Sequence, residues 1–416
     1  FPNFYWIVNV KNNDYAKLPI RVSADCALSI FLSLACVFSI FTASKALSST
    51  EPLVIGIDAD LSAVAVEGGI AITRGVELAV DEINAAGGIL GRQIKVIAKD
   101  HRGNPARGVY NIEQFSQTPN LLAVVGGVHT PVVLAEVDPI HEKNILMLVP
   151  WAAGTPIIDN GHSPNNIFRV SVRDAEAASV LINHVKYMGL SNIALVLERT
   201  GWGRSNLESL TQAASNNDID ITATHWINWQ QKDFSEDIAA IKSAKAEAII
   251  LVTNVPEGVV VLDEMAKQGI ASLPVVSHWG VASGQFASLL AKPIANYNVS
   301  VLQTFHFNHQ KNTKAKSLLE AYYNKYGLVD ATAIGGVTGL AHAYDLTHLI
   351  AAAAAKAGSI EVDALRAALE SLQNVQGAVK HYTAPFSEDR HDALWAKDYF
   401  MTTFNEKGHL VTTGVQ

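Results

Sequence analysis

The sequence predicts an α/β protein built as two doubly wound parallel-sheet lobes, and three features of the chain point there. Short runs such as "LVIGI" (53–57), "LLAVVGG" (121–127) and "AIILVTN" (248–254) lack polar alternation, as strands buried on both faces require. Amphipathic helical stretches separate these runs, which is the β-α-β rhythm of a parallel sheet. The rhythm restarts after "FRVSVRD" (168–174), so the chain holds two units of the same kind.

The elements follow in order. Strand 53–57 leads to helix "GGIAITRGVELAVDEINAAGG", where Val76, Ala79, Val80 and Ile83 share a face and Gly87-Gly88 supply a left-handed cap. Strand "QIKVIAKD", helix "ARGVYNIEQFSQ", strand 121–127, helix "PVVLAEVDPIHEKN" and strand "ILMLVP" complete the first unit. The second runs helix "AEAASVLINHVKYMG", strand "NIALVLE", helix "SNLESLTQAASNN" and strand "ITATHWI". It continues with helix "FSEDIAAIKSA", strand 248–254, helix "GVVVLDEMAKQG" and strand "PVVSHWG". Strand-like "VSVLQTFHF" (299–307) precedes helices at 313–326, 335–357 and 361–373. Strand-like "YFMTTFN" and "HLVTTG" follow.

The first 50 residues differ from the rest. Residues 27–43, "ALSIFLSLACVFSIFTA", carry no charge and follow Lys17 and Arg21, and Ser44 and Ala46 have signal-peptidase spacing. Residues 1–46 therefore read as a leader that exports the chain to the periplasm. An uncleaved anchor is the alternative, although the apolar run is short for a span. "SLAC", ending at Cys36, makes a poor lipobox. Residues 1–20 fit neither a signal nor a domain and the first Met is Met147, so they are expected upstream of the true start. Cys26 and Cys36 both lie in the leader, leaving an exported chain without disulfides.

With 49% hydrophobic and 17% charged residues the 416-residue chain is globular, and its net charge of −8 without a basic block argues against nucleic acid. GxGxxG, P-loop and GxSxG patterns are absent, so no cofactor is expected. "HFNH" (His306, His309) would point to opposite faces of a strand, so no metal is expected either.

In open parallel sheets, ligands bind beyond the carboxyl ends of the strands. Those ends carry His129, Thr130 and Pro131 after strand 121–127, with Thr130 reading as a helix N-cap and Pro131 as its first residue. Trp151, Ala152 and Ala153 follow the next strand, and Trp202, Asn254 and Trp279 follow strands of the second unit. Plain capping or core packing explains any one of these. Three of seven tryptophans at strand ends suit the aromatic walls of a small-ligand cleft.

"LSAVAVEGG…RGVELAVDEINAAGGILGRQIKVIAKD", "AVVGGVHTPVVLAEVDPIHEKNILMLVP" and "QKDFSEDIAAIKSAKAEAIILV" resemble the periplasmic branched-chain amino-acid (leucine-type) solute-binding proteins of ABC transporters, over roughly residues 51–416. The resemblance implies a type I periplasmic-binding fold, with lobe 1 at 51–170 plus 304–385 and lobe 2 at 171–303 plus 386–416. Three crossings would join them, near Arg169–Arg173, Gln303–His306 and Pro385–Ser387. It also implies a monomer without catalytic chemistry that closes on a small-molecule solute and delivers it to ABC permease subunits. A ligand-sensing domain of a receptor or regulator is the rival; an enzyme on the same fold is disfavoured.

Carried over by residue, the family's carboxylate-binding loop falls on His129 and Thr130, and its second loop on Trp151, Ala152 and Ala153. A second-lobe aromatic falls on Trp202, a further contact on Asn254, and a first-lobe contact on Gly68, where the usual bulky wall is missing. The family acid that pairs an ammonium falls on Trp279. Either Glu198, Glu257 or Asp60 takes its place, or the solute has no α-amino group. A disulfide formed by some members falls on Gly103 and His129.

Overall fold

The computed structural model describes residues 51–327 and 330–412. The leader and both cysteines lie outside them. One sheet holds β1 (Leu53–Ala59), β2 (Ile94–Asp100), β3 (Leu121–Gly126), β4 (Met147–Val149) and β5 (Ile167–Arg169), all parallel in the order β2-β1-β3-β4-β5. Every residue of β1 is buried, as a strand covered on both faces must be. Gly56 leaves room there for the Phe115 ring, which a Cβ would meet at 2.7 Å. Helices α1 (Val66–Ala85), α2 (Pro105–Ser116) and α3 (Thr130–Glu142) alternate with these strands.

Helix α4 (Asp174–Tyr187) opens the second unit, with α5 (Gly201–Ser215), α6 (Ser235–Ser243), α7 (Val255–Lys267) and the single turn α8 (Phe286–Leu289) following. Its strands are β6 (Asn192–Glu198), β7 (Asp220–Ile227), β8 (Ala248–Val252), β9 (Val275–Ser277) and β10 (Val299–Gln303). The edge strand β7 alternates between exposed and covered residues, whereas the central β8 is wholly buried. The chain then returns to the first sheet, where α9 (Thr313–Tyr326) and α10 (Val337–Ala357) pack on α1, and α11 (Val362–Glu370) packs on α10. After a hairpin of β11 (Val375–Gln376) and β12 (His381–Tyr382), β13 (Phe400–Phe404) and β14 (Leu410–Thr412) add antiparallel strands to the second sheet. Its order is β14-β13-β10-β9-β8-β6-β7.

Two local expectations change. The run 299–307 is a strand only to Gln303; His306 and His309 follow it, where His306 Nδ1 accepts from the Asn308 N–H and His309 stacks on Phe400 at 4.2 Å. Helix α3 starts one residue early: His129 is its N-cap, Thr130 its first residue and Pro131 its second. Pro131 is tolerated at either position because first-turn N–H groups have no intrahelical partner.

Candidate functional site

Each sheet has one point where successive strands leave in opposite directions, between β1 and β3 in the first and between β6 and β8 in the second. Crevices form at such points. In the first sheet Asp60 follows β1 and His129 follows β3, and His129 Nε2 meets Asp60 Oδ2 at 2.8 Å. In the second, Glu198 ends β6 and Asn254 follows β8. Glu198 Oε1 accepts from both the backbone N–H and the Nδ2 of Asn254, each at 2.7 Å.

The two crevices face each other across one enclosed pocket. Val128, His129, Thr130, Pro131, Trp151 and Ala153 line it from the first sheet, and Glu198, Trp202, Trp229, Asn254 and Trp279 from the second. Only about 280 Å³ of atom-free space lies among these side chains. The halves are therefore drawn tightly together. Trp151 and Trp279 meet across them with ring centroids 5.2 Å apart, inclined by 35°.

The loop carrying Trp151 is held from behind. The Trp151 carbonyl accepts from Ser171 Oγ, that of Ala153 from the Asp174 N–H, and those of Ala152 and Gly154 from Arg169 Nη1. Arg169 is fully buried and pairs through Nε with Asp392 at 2.5 Å. Four consecutive carbonyls are thus committed away from the pocket, while the Ala153 N–H donates to nothing among the described residues. The Thr130 hydroxyl accepts from the Gly154 N–H at 3.2 Å, tying the start of α3 to the same loop.

Trp279 is set from its own side. Strand β9 ends at Ser277, and His278 caps the following turn by accepting the Trp279 N–H on Nδ1 at 2.9 Å. His278 Nε2 lies 3.2 Å from Asp174 Oδ1, off the hydrogen-bonding direction. The same oxygen accepts from Trp202 Nε1 at 3.2 Å. Gly280 is required because a Cβ there would meet the Thr253 carbonyl at 2.2 Å and the Trp202 ring at 2.7 Å. Behind Trp279 lies His342, whose Nδ1 is engaged by the Pro150 carbonyl and whose pKa burial lowers to about 4.

The three acids differ. Burial alone would raise the Asp60 pKa, but hydrogen bonds from His129 and the amides of Ala63 and Ala65 outweigh it and hold the carboxyl well below its usual range. Asp60 is therefore a loop anchor. Burial, reinforced by repulsion from Glu257, raises Glu198 to about 8 against hydrogen bonds from Trp229 and Asn254. Burial also raises Glu257, whose Oε1 accepts from the Gln230 N–H while Oε2 has no partner among the described residues.

Of the nine contact positions carried over from the resemblance, seven line the pocket: His129, Thr130, Trp151, Ala153, Trp202, Asn254 and Trp279; Pro131 and Glu198, also named from the sequence, line it as well. Ala152 does not; its carbonyl serves Arg169 and its N–H donates to Gly127. Nor does Gly68, where a Cβ would lie 3.4 Å from Val128, 3.8 Å from Ser283 and 3.9 Å from the Trp151 ring. A Cβ on Gly103 would lie 3.4 Å from the Trp229 ring and 3.6 Å from His129 Nε2. Trp229 was not singled out. It lies two residues beyond β7, and looking past every strand end would have found it.

A family model described as "Periplasmic binding protein" matches residues 52–409. The Leu/Ile/Val-binding protein homolog 3 of Brucella melitensis is 28% identical over 313 residues, 74% of this chain and 80% of that protein. A periplasmic binding protein type 1 from Bordetella pertussis superposes with a TM-score of 0.79 at 23% identity, covering 87% of this chain and all of that one. The isoleucine complex of the substrate-binding protein LivJ from Streptococcus pneumoniae gives 0.75 at 22% identity, with the same coverage. Two α/β lobes with parallel sheets, a pocket built from the strand ends of both, and a family match spanning nearly all the described residues agree: the chain belongs to the periplasmic binding protein family.

Proposed function

We propose that this protein is the solute-binding component of an ABC importer. It is exported by its N-terminal leader, acts as a monomer, and carries a small organic solute in the pocket between its lobes to permease subunits. The lobes are taken as 51–170 plus 304–385 and 171–303 plus 386–416, and the solute contacts as the seven lining residues above together with Glu198 and Trp229. One observation carries the proposal: both sheets present their switch-point ends to a single enclosed pocket. A solute touching both ends favours closure by its differential affinity for the closed form. Binding and release make up the whole activity, with no catalytic step. In support, the polar side chains of the pocket are committed to one another, His129 to Asp60 and Glu198 to Asn254 and Trp229.

Thermal unfolding against a panel of amines, amino acids, betaines, amides and aromatic acids tests this. A cognate solute at a hundredfold excess over its Kd should stabilise the fold by about 2.7 kcal/mol. Unmoved melting across all classes would refute it.

A further inference from the structure

We infer that the solute is a compact organic cation, an ammonium or its N-methylated form, seated against Glu198 with the pocket's indole faces around it. The inference rests on the solute-binding reading above and narrows it.

Three features of the pocket carry it. Among the described residues its lining has Glu198 as an acid but no Lys or Arg. Two indole edges are already spent, since Trp202 Nε1 donates to Asp174 and Trp229 Nε1 to Glu198 Oε2 at 2.7 Å. Neither N–H is therefore left to donate to a guest, and an aromatic face, where a guest meets one, attracts cations and accepts methylated ammonium groups readily. Lastly, both lone pairs of Glu198 Oε1 are taken by Asn254 and one of Oε2 by Trp229. A carboxylate oxygen accepts two hydrogen bonds, so one position on Oε2 is left.

That last position holds a proton or a cation, not both. Without a guest, burial keeps Glu198 protonated up to about pH 8. The neighbouring titratable or charged groups are Glu257 on α7, Lys232 near Glu257, His129 with Asp60 from the facing sheet, and Arg199, which turns outward over Trp226. A cation must displace the proton, so binding releases one and affinity should rise about tenfold per pH unit below that value. A neutral guest accepting from the protonated acid would show the opposite trend.

The test is calorimetry of the intact exported protein with ethanolamine, choline, glycine betaine, the uncharged carbon isostere of choline, and benzoate. Buffers of different ionisation enthalpy report proton release. At least one of the three ammonium compounds should bind with proton release and pH-dependent affinity, and Glu198→Gln should weaken it at least about tenfold and abolish the pH dependence. If that variant does not fold, proton release by the wild type decides. Binding of the isostere as tightly as choline, or affinity that falls with rising pH, overturns the cation assignment. Binding of benzoate, or of another uncharged or anionic solute, without any ammonium compound does the same while leaving the transport reading intact. Binding of nothing in any class removes both.

Discussion

Trp279→Ala separates a tryptophan that only fills the core from one that closes on a solute. The side chain is 1% exposed, with ring centroids 5.2 Å from Trp151, 5.9 Å from His342 and 6.1 Å from His278. Truncating a buried tryptophan costs folding about 3–5 kcal/mol whatever its role. The contact with Trp151 is different, because the rings belong to opposite sheets and part when the halves part. An aromatic pair contributes about 0.5–1.5 kcal/mol beyond its burial. A cation against the ring face adds about 0.5–2 kcal/mol. Together these give about 1–3.5 kcal/mol of binding, roughly a fivefold to several-hundredfold weaker affinity. Calorimetry below the variant's melting temperature measures the binding part, and denaturant unfolding measures the folding part. Trp279→Phe keeps a ring and should recover most of the affinity. Affinity within about twofold of wild type in Trp279→Ala, alongside a lowered melting temperature, would return Trp279 to the core and refute this reasoning.

Other outcomes are as specific. Arg169→Met leaves Asp392 with Arg173 alone, frees the carbonyl of Ala152 and leaves that of Gly154 with the Ile157 N–H only; denaturant unfolding should show a loss of about 3–5 kcal/mol with weaker solute binding, and a loss under about 1 kcal/mol would contradict the anchoring role. Thr130→Val strands the Gly154 N–H, and thermal unfolding should show a loss of about 1–3 kcal/mol; an unchanged melting temperature would contradict the tie between α3 and the loop. Asp58 and Glu136 are buried together: burial, with repulsion from Asp100, raises Asp58 to about 6 against hydrogen bonds from Glu136 and Asn111, while burial and repulsion from Asp58 raise Glu136 well above its usual range. Such groups bind protons in the fold that they lose on unfolding, so their stabilisation is lost as pH rises through the folded values. Glu136→Gln should therefore gain on wild type in melting temperature between about pH 5 and pH 8, and an offset independent of pH would contradict the shared proton.

The α/β alternation and most helix limits were legible because buried parallel strands leave unbroken apolar runs and helix ends carry caps; the helix at 313–326 matches residue for residue. The end of β10 was not, because the apolar character of 299–307 continues through Phe305 and Phe307, which are buried without strand pairing. Strand-end logic found the tryptophans at 151, 202 and 279, since a switch-point site must lie there. It could not choose among Asp60, Glu198 and Glu257, because their difference lies in partners more than 25 residues away in sequence: His129 for Asp60, Asn254 and Trp229 for Glu198, Gln230 for Glu257. His342 carries no sequence signal at all, as a histidine on the buried face of a long helix reads as core.

Small-angle scattering with and without a saturating solute measures directly whether the two sheet ends clamp a guest. The radius of gyration should fall when a solute that stabilises the fold is added, and fall less with Trp279→Ala at the same concentration. A solute that binds tightly yet leaves the scattering profile unchanged would contradict closure and, with it, the pocket as the place where the solute is carried.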